Sequence, residues 1–168
     1  MQQGQVGQLT RGSVMSEQPH VNANAIQSKI REDIAREGWS WIWVFDPDGK
    51  LSPFAYTIGF AATFGHPEIV VAGLPEGASE GVLSSAHAEL ESGAIFSDGS
   101  VSDGVLEAFA VRFRSVSVSA QPDVLVQATE FYGGREFEVL QLCWPDKDGN
   151  FPGDPGASAW LNARQSLK

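Results

Sequence analysis

Gly65-His66-Pro67-Glu68 sets an imidazole and a carboxylate two residues apart at the mouth of an apolar run, Ile69-Val70-Val71-Ala72. In an extended chain, residues two apart project to the same side. A neutral imidazole beside a carboxylate can share a proton, hold a metal or orient a ligand. His66 and Glu68 are therefore the candidate catalytic pair. The same residues also have a structural use. A histidine can close a turn, and a carboxylate can take up loose backbone amides before a strand. A second corner, Trp144-Pro145-Asp146, also places polar and aromatic groups beside an apolar strand. Proline fixes φ at each corner and so aims its neighbours. The spacing predicts that His66 and Glu68 share one cleft with the ligand-binding candidates Tyr56, Trp144 and Asp146. Arg112, beside Arg114 on one strand face, is a further candidate for receiving an anion. On an acidic chain such arginines also pair with surface carboxylates.

Other chemistries lack their parts. His-x-Glu opens the zinc deaminase signature, but that needs a later Pro-Cys-x-x-Cys, and Cys143 is the only cysteine. His66 and His87 have no recognised ligand spacing, and His87 falls on an apolar helical face. It reads as a core histidine with one hydrogen bond, and no metal is expected. Cys143 lies inside Val-Leu-Gln-Leu-Cys-Trp-Pro, where a thiol behaves as a small hydrophobe, buried and inert. Asp46-Pro-Asp-Gly-Lys and Asp146-Lys-Asp-Gly-Asn are turns, since both lack a calcium loop's distal glutamate. No phosphate loop, dinucleotide fingerprint or nucleophile elbow is present, so the residues assign no cofactor.

A net charge of −10 on 168 residues argues against binding nucleic-acid phosphates or anionic lipid. It suits instead a basic protein partner. No run approaches the roughly 20 apolar residues of a spanning helix. A single cysteine and a polar beginning with no apolar targeting core read as cytoplasmic.

The elements that must position these residues follow from periodicity. Ile26, Ile30 and Ile34 recur at helical spacing between a cap at Asn22 or Asn24 and a stop at Gly38. Residues 1–22 are set aside as a leader or tag, leaving 23–168 as one domain. Trp39, Trp41, Trp43 and Phe45 alternate with Ile42 and Val44, so this strand is expected to be covered on both faces. These tryptophans, with Tyr56, Phe60 and Trp144, line a pocket for a flat ligand or fill a core. A second strand is read through Tyr56-Thr-Ile-Gly-Phe60, a third through Glu68-Leu74, and a helix up to Gly93. Phe109, Val111 and Phe113 alternate with Arg112 and Arg114, and a bulge near Ser115 would explain why Val116 and Val118 change phase. A short helix closes at Gly133, a strand ends at Pro145, and one or two helical turns occupy the tail. The fold expected is a single α+β domain with a strongly twisted mixed sheet or partial barrel, and helices set to one side.

Gly-Trp-Ser-Trp-Ile-Trp-Val-Phe, Tyr-Thr-Ile-Gly-Phe, Gly-His-Pro-Glu-Ile-Val-Val-Ala-Gly-Leu and Leu-Gln-Leu-Cys-Trp-Pro-Asp-Lys-Asp-Gly-Asn-Phe-Pro occur in that order. In this combination the chain resembles the bacterial "domain of unknown function 4262" family over about residues 24–153. The pattern marks Tyr56, Thr57, Gly59, Gly65, His66, Pro67, Glu68, Gly73, Gln141, Trp144, Pro145, Asp146, Phe151 and Pro152. After Pro152 the family tends to an aromatic and an acidic residue, whereas this chain has Gly153-Asp154. The resemblance implies a compact bacterial cytosolic domain and no established activity, leaving open whether it is an enzyme. Two readings follow: a domain binding or acting on a small molecule in the shared cleft, or an acidic interaction module of immunity or regulatory type.

Overall fold

The computed structural model describes residues 7–10, 13–14, 19–119 and 123–167. A helix, α1 (Pro19–Glu37), leads into the strands β3 (Ser40–Phe45) and β4 (Phe54–Ile58). A short helix α2 (Phe60–Phe64) precedes β5 (Glu68–Ala72), which feeds the long helix α3 (Glu76–Glu91). The chain continues through β6 (Val101–Ser102), β7 (Val111–Val116), α4 (Val126–Tyr132), β8 (Val139–Cys143) and α5 (Ala159–Arg164). Within the stretch that the sequence reading sets aside, β1 (Gly7–Thr10) and β2 (Ser13–Val14) form a hairpin, and β1 pairs with β3.

These strands form one mixed sheet in the order β2-β1-β3-β4-β5-β8-β7-β6. All neighbours are antiparallel except β5 and β8, which run parallel with Glu68 beside Val139. The fold is an α+β single domain, and the sheet stays open instead of curling into a partial barrel.

Helices cover both faces, not one, because both faces are apolar. Trp39, Trp41, Ala55, Ile69, Val71, Phe113, Leu140 and Leu142 form one core with Val82, Leu83 and Ala86 of α3. Ile42, Val44, Tyr56, Val70, Ala72 and Val139 form the other, with Ile26 and Ile30 of α1 and Leu125 and Ala128 of the α4 region. Alternation along β3 thus divides its residues between two interiors, as expected. Trp39 and Trp41 are core filling, and Trp39 stacks on His87 with ring centroids 4.9 Å apart.

Three local expectations change. α1 begins at Pro19, ahead of both asparagines, since proline suits a first helical turn. The strand expected through Phe60 stops at Ile58. Gly59 takes φ +109, and a Cβ there would stand 3.1 Å from the Gly38 carbonyl oxygen and from Ile34, so the chain turns into α2. No bulge occurs at Ser115, because the β7–β8 register runs unbroken from Arg112 opposite Cys143 to Val116 opposite Val139. Val116 merely faces the second core.

Gly73 closes β5 at φ +87, where a Cβ would lie 2.6 Å from the Arg164 carbonyl oxygen. Gly73→Ala should cost about 1–3 kcal/mol, read from urea denaturation, with the α5 amides showing the largest spectral changes.

Candidate functional site

Glu68 begins β5 with its side chain wholly buried. Its Oε2 accepts from Thr57 Oγ1 at 2.6 Å and the Phe60 amide at 3.2 Å. Its Oε1 accepts from the Gly59 amide at 2.7 Å, the Ala61 amide at 3.4 Å and the Tyr132 hydroxyl. Thr57 Oγ1 in turn accepts from the Ile69 amide at 2.9 Å, so its proton is directed at Glu68. Burial pushes the Glu68 carboxyl upward, and the Thr57, Tyr132, Gly59 and Ala61 donors pull it back. Five donors converging on two oxygens match a carboxylate, which only accepts. One side chain thereby ties β4, the start of α2 and the end of α4 to β5. Burial, with the Glu68 charge second, drives the Tyr132 hydroxyl pKa upward, so it remains a donor at neutral pH.

His66 is buried just before this strand. Its Nδ1 lies 2.8 Å from the Pro67 carbonyl oxygen, which can only accept, so Nδ1 carries the proton. Nε2 accepts from the Phe96 amide at 3.1 Å. The ring is thus held neutral in one tautomer, with Phe60 and Phe96 edge-on at 6.3 and 5.7 Å. Burial pushes its pKa below the ordinary value, against the Pro67 contact, which works the other way. A second ring proton would also set N–H against N–H at Phe96.

The expected companions lie elsewhere. Tyr56 is buried in the other core, where its hydroxyl accepts from the Gln127 amide at 3.1 Å and burial drives its pKa upward. Trp144 stands past the opposite end of the β5–β8 pair, its Nε1–H donating to the Ala72 carbonyl at 2.8 Å. At about 3.3 Å per residue, β5 separates it from Glu68 by roughly 13 Å along the strand. The two proline corners therefore do not face one cleft. Parallel pairing sets the start of one strand beside the start of the other, so residues before β5 and after β8 lie at opposite ends of the sheet.

Asp146 holds its own turn, accepting from the Asp148 and Asn150 amides at 2.9 Å each, and the Asn150 contact is the main force lowering its pKa. Asp46 does the same for the earlier turn. Arg112 pairs with Asp154 at 2.8 Å and covers the Phe151 ring at 4.3 Å. It is a surface ion pair, and Gly153-Asp154 supplies its partner. Arg114 donates through Nε and Nη2 to Gln141 Oε1, while Gln141 donates to the Gln165 carbonyl. Gln165 also bonds the Trp144 backbone in both directions, docking the tail beside β8. Cys143 is buried, and burial raises its thiol pKa. Among the described residues no group of three His, Cys, Asp or Glu side chains could hold a metal ion.

A cleft of about 870 Å³ opens at the His66 end of the sheet. Its walls include Pro67 and Phe96, Val116 and Val118 with the serines around them, and the stretch 134–138 ahead of β8. Neither His66 nor Glu68 lines it, yet both backbone partners of His66 do. Sequence reasoning missed the cleft because its walls come from five separate segments. The alternating serines of 115–119 were its one visible trace.

The family model for Domain of unknown function (DUF4262) matches residues 33–158. The chain belongs to this family. Comparisons with curated proteins and with solved structures return no match. In this DUF4262 domain no helix among the described residues is long and apolar enough to cross a membrane.

Two predictions follow from the buried pair. Glu68→Gln turns an amide N–H₂ toward a cage of donors and should cost about 3 kcal/mol, with Tyr132→Phe costing about half as much; urea denaturation of both variants checks this order. For His66 the unfolded chain takes up a proton near pH 6.5 and the folded chain only at lower pH. Its contribution is full above about pH 6.5 and is lost as pH falls toward the lower folded value. Stability measured from pH 7.5 to 5 should fall in the native chain, and His66→Phe should flatten that slope.

Proposed function

We propose that this domain binds a small molecule in the cleft beside β7 and the stretch leading into β8. The carrying observation is that both hydrogen bonds of the locked His66 ring end on residues of the cleft wall, Pro67 and Phe96. A volume of about 870 Å³ falls within the roughly 300–1,000 Å³ typical of ligand sites. The lining suits that use as well. Val116, Val118, Phe137 and Leu140 supply apolar surface, while Ser97, Ser115, Ser117 and Thr129 supply hydroxyls to orient a ligand. His66 and Glu68 then serve as positioning residues, since every polar atom of both side chains already has a partner inside the fold. Tyr56, Trp144, Asp146 and Arg112 hold other parts of the structure and take no share in the ligand.

One observation favours a second reading, a protein-interaction module for a basic partner. Ile95, Val101 and Phe109 are exposed along the connection from α3 to β7, near Asp98, Asp103 and Glu107. Such surface suits association more than catalysis.

Native mass spectrometry of the purified chain, together with a small-molecule fragment screen, separates the two. A ligand should be found whose binding is abolished by Ser117→Trp, which fills the cleft from an exposed rim position, while urea stability changes little. If ligands bind the variant as well as the native chain, the cleft is not the site.

A further inference from the structure

We propose that the cleft takes an organic cation, an ammonium group carried on an apolar body of about arylalkyl size. The proposal rests on the small-molecule reading of the cleft and adds the class of ligand.

Strand register gives the cleft two unlike walls. β7 and β8 are antiparallel, with Val116 opposite Val139. Beyond that pair the two chains leave the ladder as 117–119 and 134–138, and both stretches line the cleft. Alternation puts Ser115, Ser117 and Ser119 on one side and Val116 and Val118 on the other. Along the other stretch Phe137 is half-buried between the exposed Glu136 and Glu138. Val116, Val118 and Phe137 all pack toward the core under α1 and α4, which identifies the apolar side. The opposite side offers hydroxyls and carboxylates.

Charge decides the sign of the ligand. The lining residues include Asp98, Glu136 and Glu138 against a single cation, Arg135. Arg135 is turned back onto α4, where its Nε donates to the Tyr132 carbonyl at 3.0 Å. Asp98 accepts from the Ser115 amide at 2.8 Å through one oxygen, leaving the other for a donor. Glu136 and Glu138 are exposed and make no ion pair among the described residues. Carboxylates beside low-dielectric walls concentrate the local field, and the chain's net charge of −10 adds to it.

The same geometry selects among cations. Because these carboxylates do not come together as a metal-holding group, a compact divalent ion lacks its ligand set. An ammonium group donates up to three hydrogen bonds, which spaced hydroxyls and carboxylates can accept. Its hydrocarbon body would then lie on Phe96 and Leu140, which line the cleft on the serine side, Leu140 standing opposite Ser115. An anion of equal size would meet three carboxylates.

Titration of the full chain with phenethylamine, its neutral counterpart phenethyl alcohol and the carboxylate hydrocinnamate tests this. Binding is followed through the amide resonances of Phe96, Ser117 and Glu138. The amine should bind about tenfold more tightly than the alcohol, and the carboxylate most weakly. The double variant Glu136→Gln/Glu138→Gln should remove the amine's advantage and leave the alcohol unaffected. If the alcohol or carboxylate binds at these amides as well as the amine, or the double variant keeps the preference, the cation assignment is overturned and the cleft stands. If none of the three moves these amides, the cleft reading falls with it.

Discussion

A buried carboxylate with five donors is the constraint on which the centre of this domain depends. Burying an ion costs several kcal/mol unless its charge is met by hydrogen bonds. Glu68 meets that condition only if β4, α2 and α4 all stand where they do, because each supplies donors that the others cannot replace. The amides of Gly59, Phe60 and Ala61 would otherwise be loose ends at the start of a helix one turn long. Tyr132 would be a buried hydroxyl without an acceptor. Carboxylate and donors stabilise one another, so the junction behaves as a unit.

His66 extends the same logic to the next segment. A ring whose two nitrogens accept and donate to backbone is a rigid spacer, not a proton shuttle. It joins the turn before β5 to the loop after α3, although Phe96 lies far along the chain. In the motif that first invites a catalytic reading, every polar side-chain atom of His66 and Glu68 is thus already engaged inside the fold. Trp144, Gln141 and Gln165 perform a comparable service at the other end of the sheet, where they fasten the chain's last turns.

Much of the architecture was legible in the residues, and the reasons differ by element. β3 declared two covered faces because tryptophans and aliphatics alternate there, and α3, α4 and β8 carry clear periods or glycine stops. α2 was hidden because Phe60-Ala-Ala-Thr-Phe64 continues an apolar strand in composition, and only flanking Gly59 and Gly65 mark a change of backbone. The apparent phase switch after Ser115 misled because Arg112, Arg114 and Val116 share one face of β7, and the second core reaches only its Val116 end. At the site, Glu68 and His66 were found by type and spacing, and the use of a carboxylate to take up loose backbone amides was legible too. Tyr132 and the Phe96 amide were not, because they belong to distant segments that no local pattern links to these side chains. The supposed meeting of the two proline corners failed for a topological reason: proximity there required an antiparallel pair, and the chain built a parallel one.

That parallel pair also bears on how the molecule forms. Hairpins such as β3–β4 close over short loops and can assemble early. β5 and β8 are neighbours in space, but everything from Gly73 to Glu138 lies between them. The entropy of closing so long a loop must be overcome before the ladder returns any free energy. β8 also needs both flanks in place, since it fills the gap between β5 and β7. It is the keystone strand, and without it the Val-Val-Ala edge of β5 would stand open. An unpaired edge of that kind is a template for pairing with another chain, so β8 also protects the sheet against association.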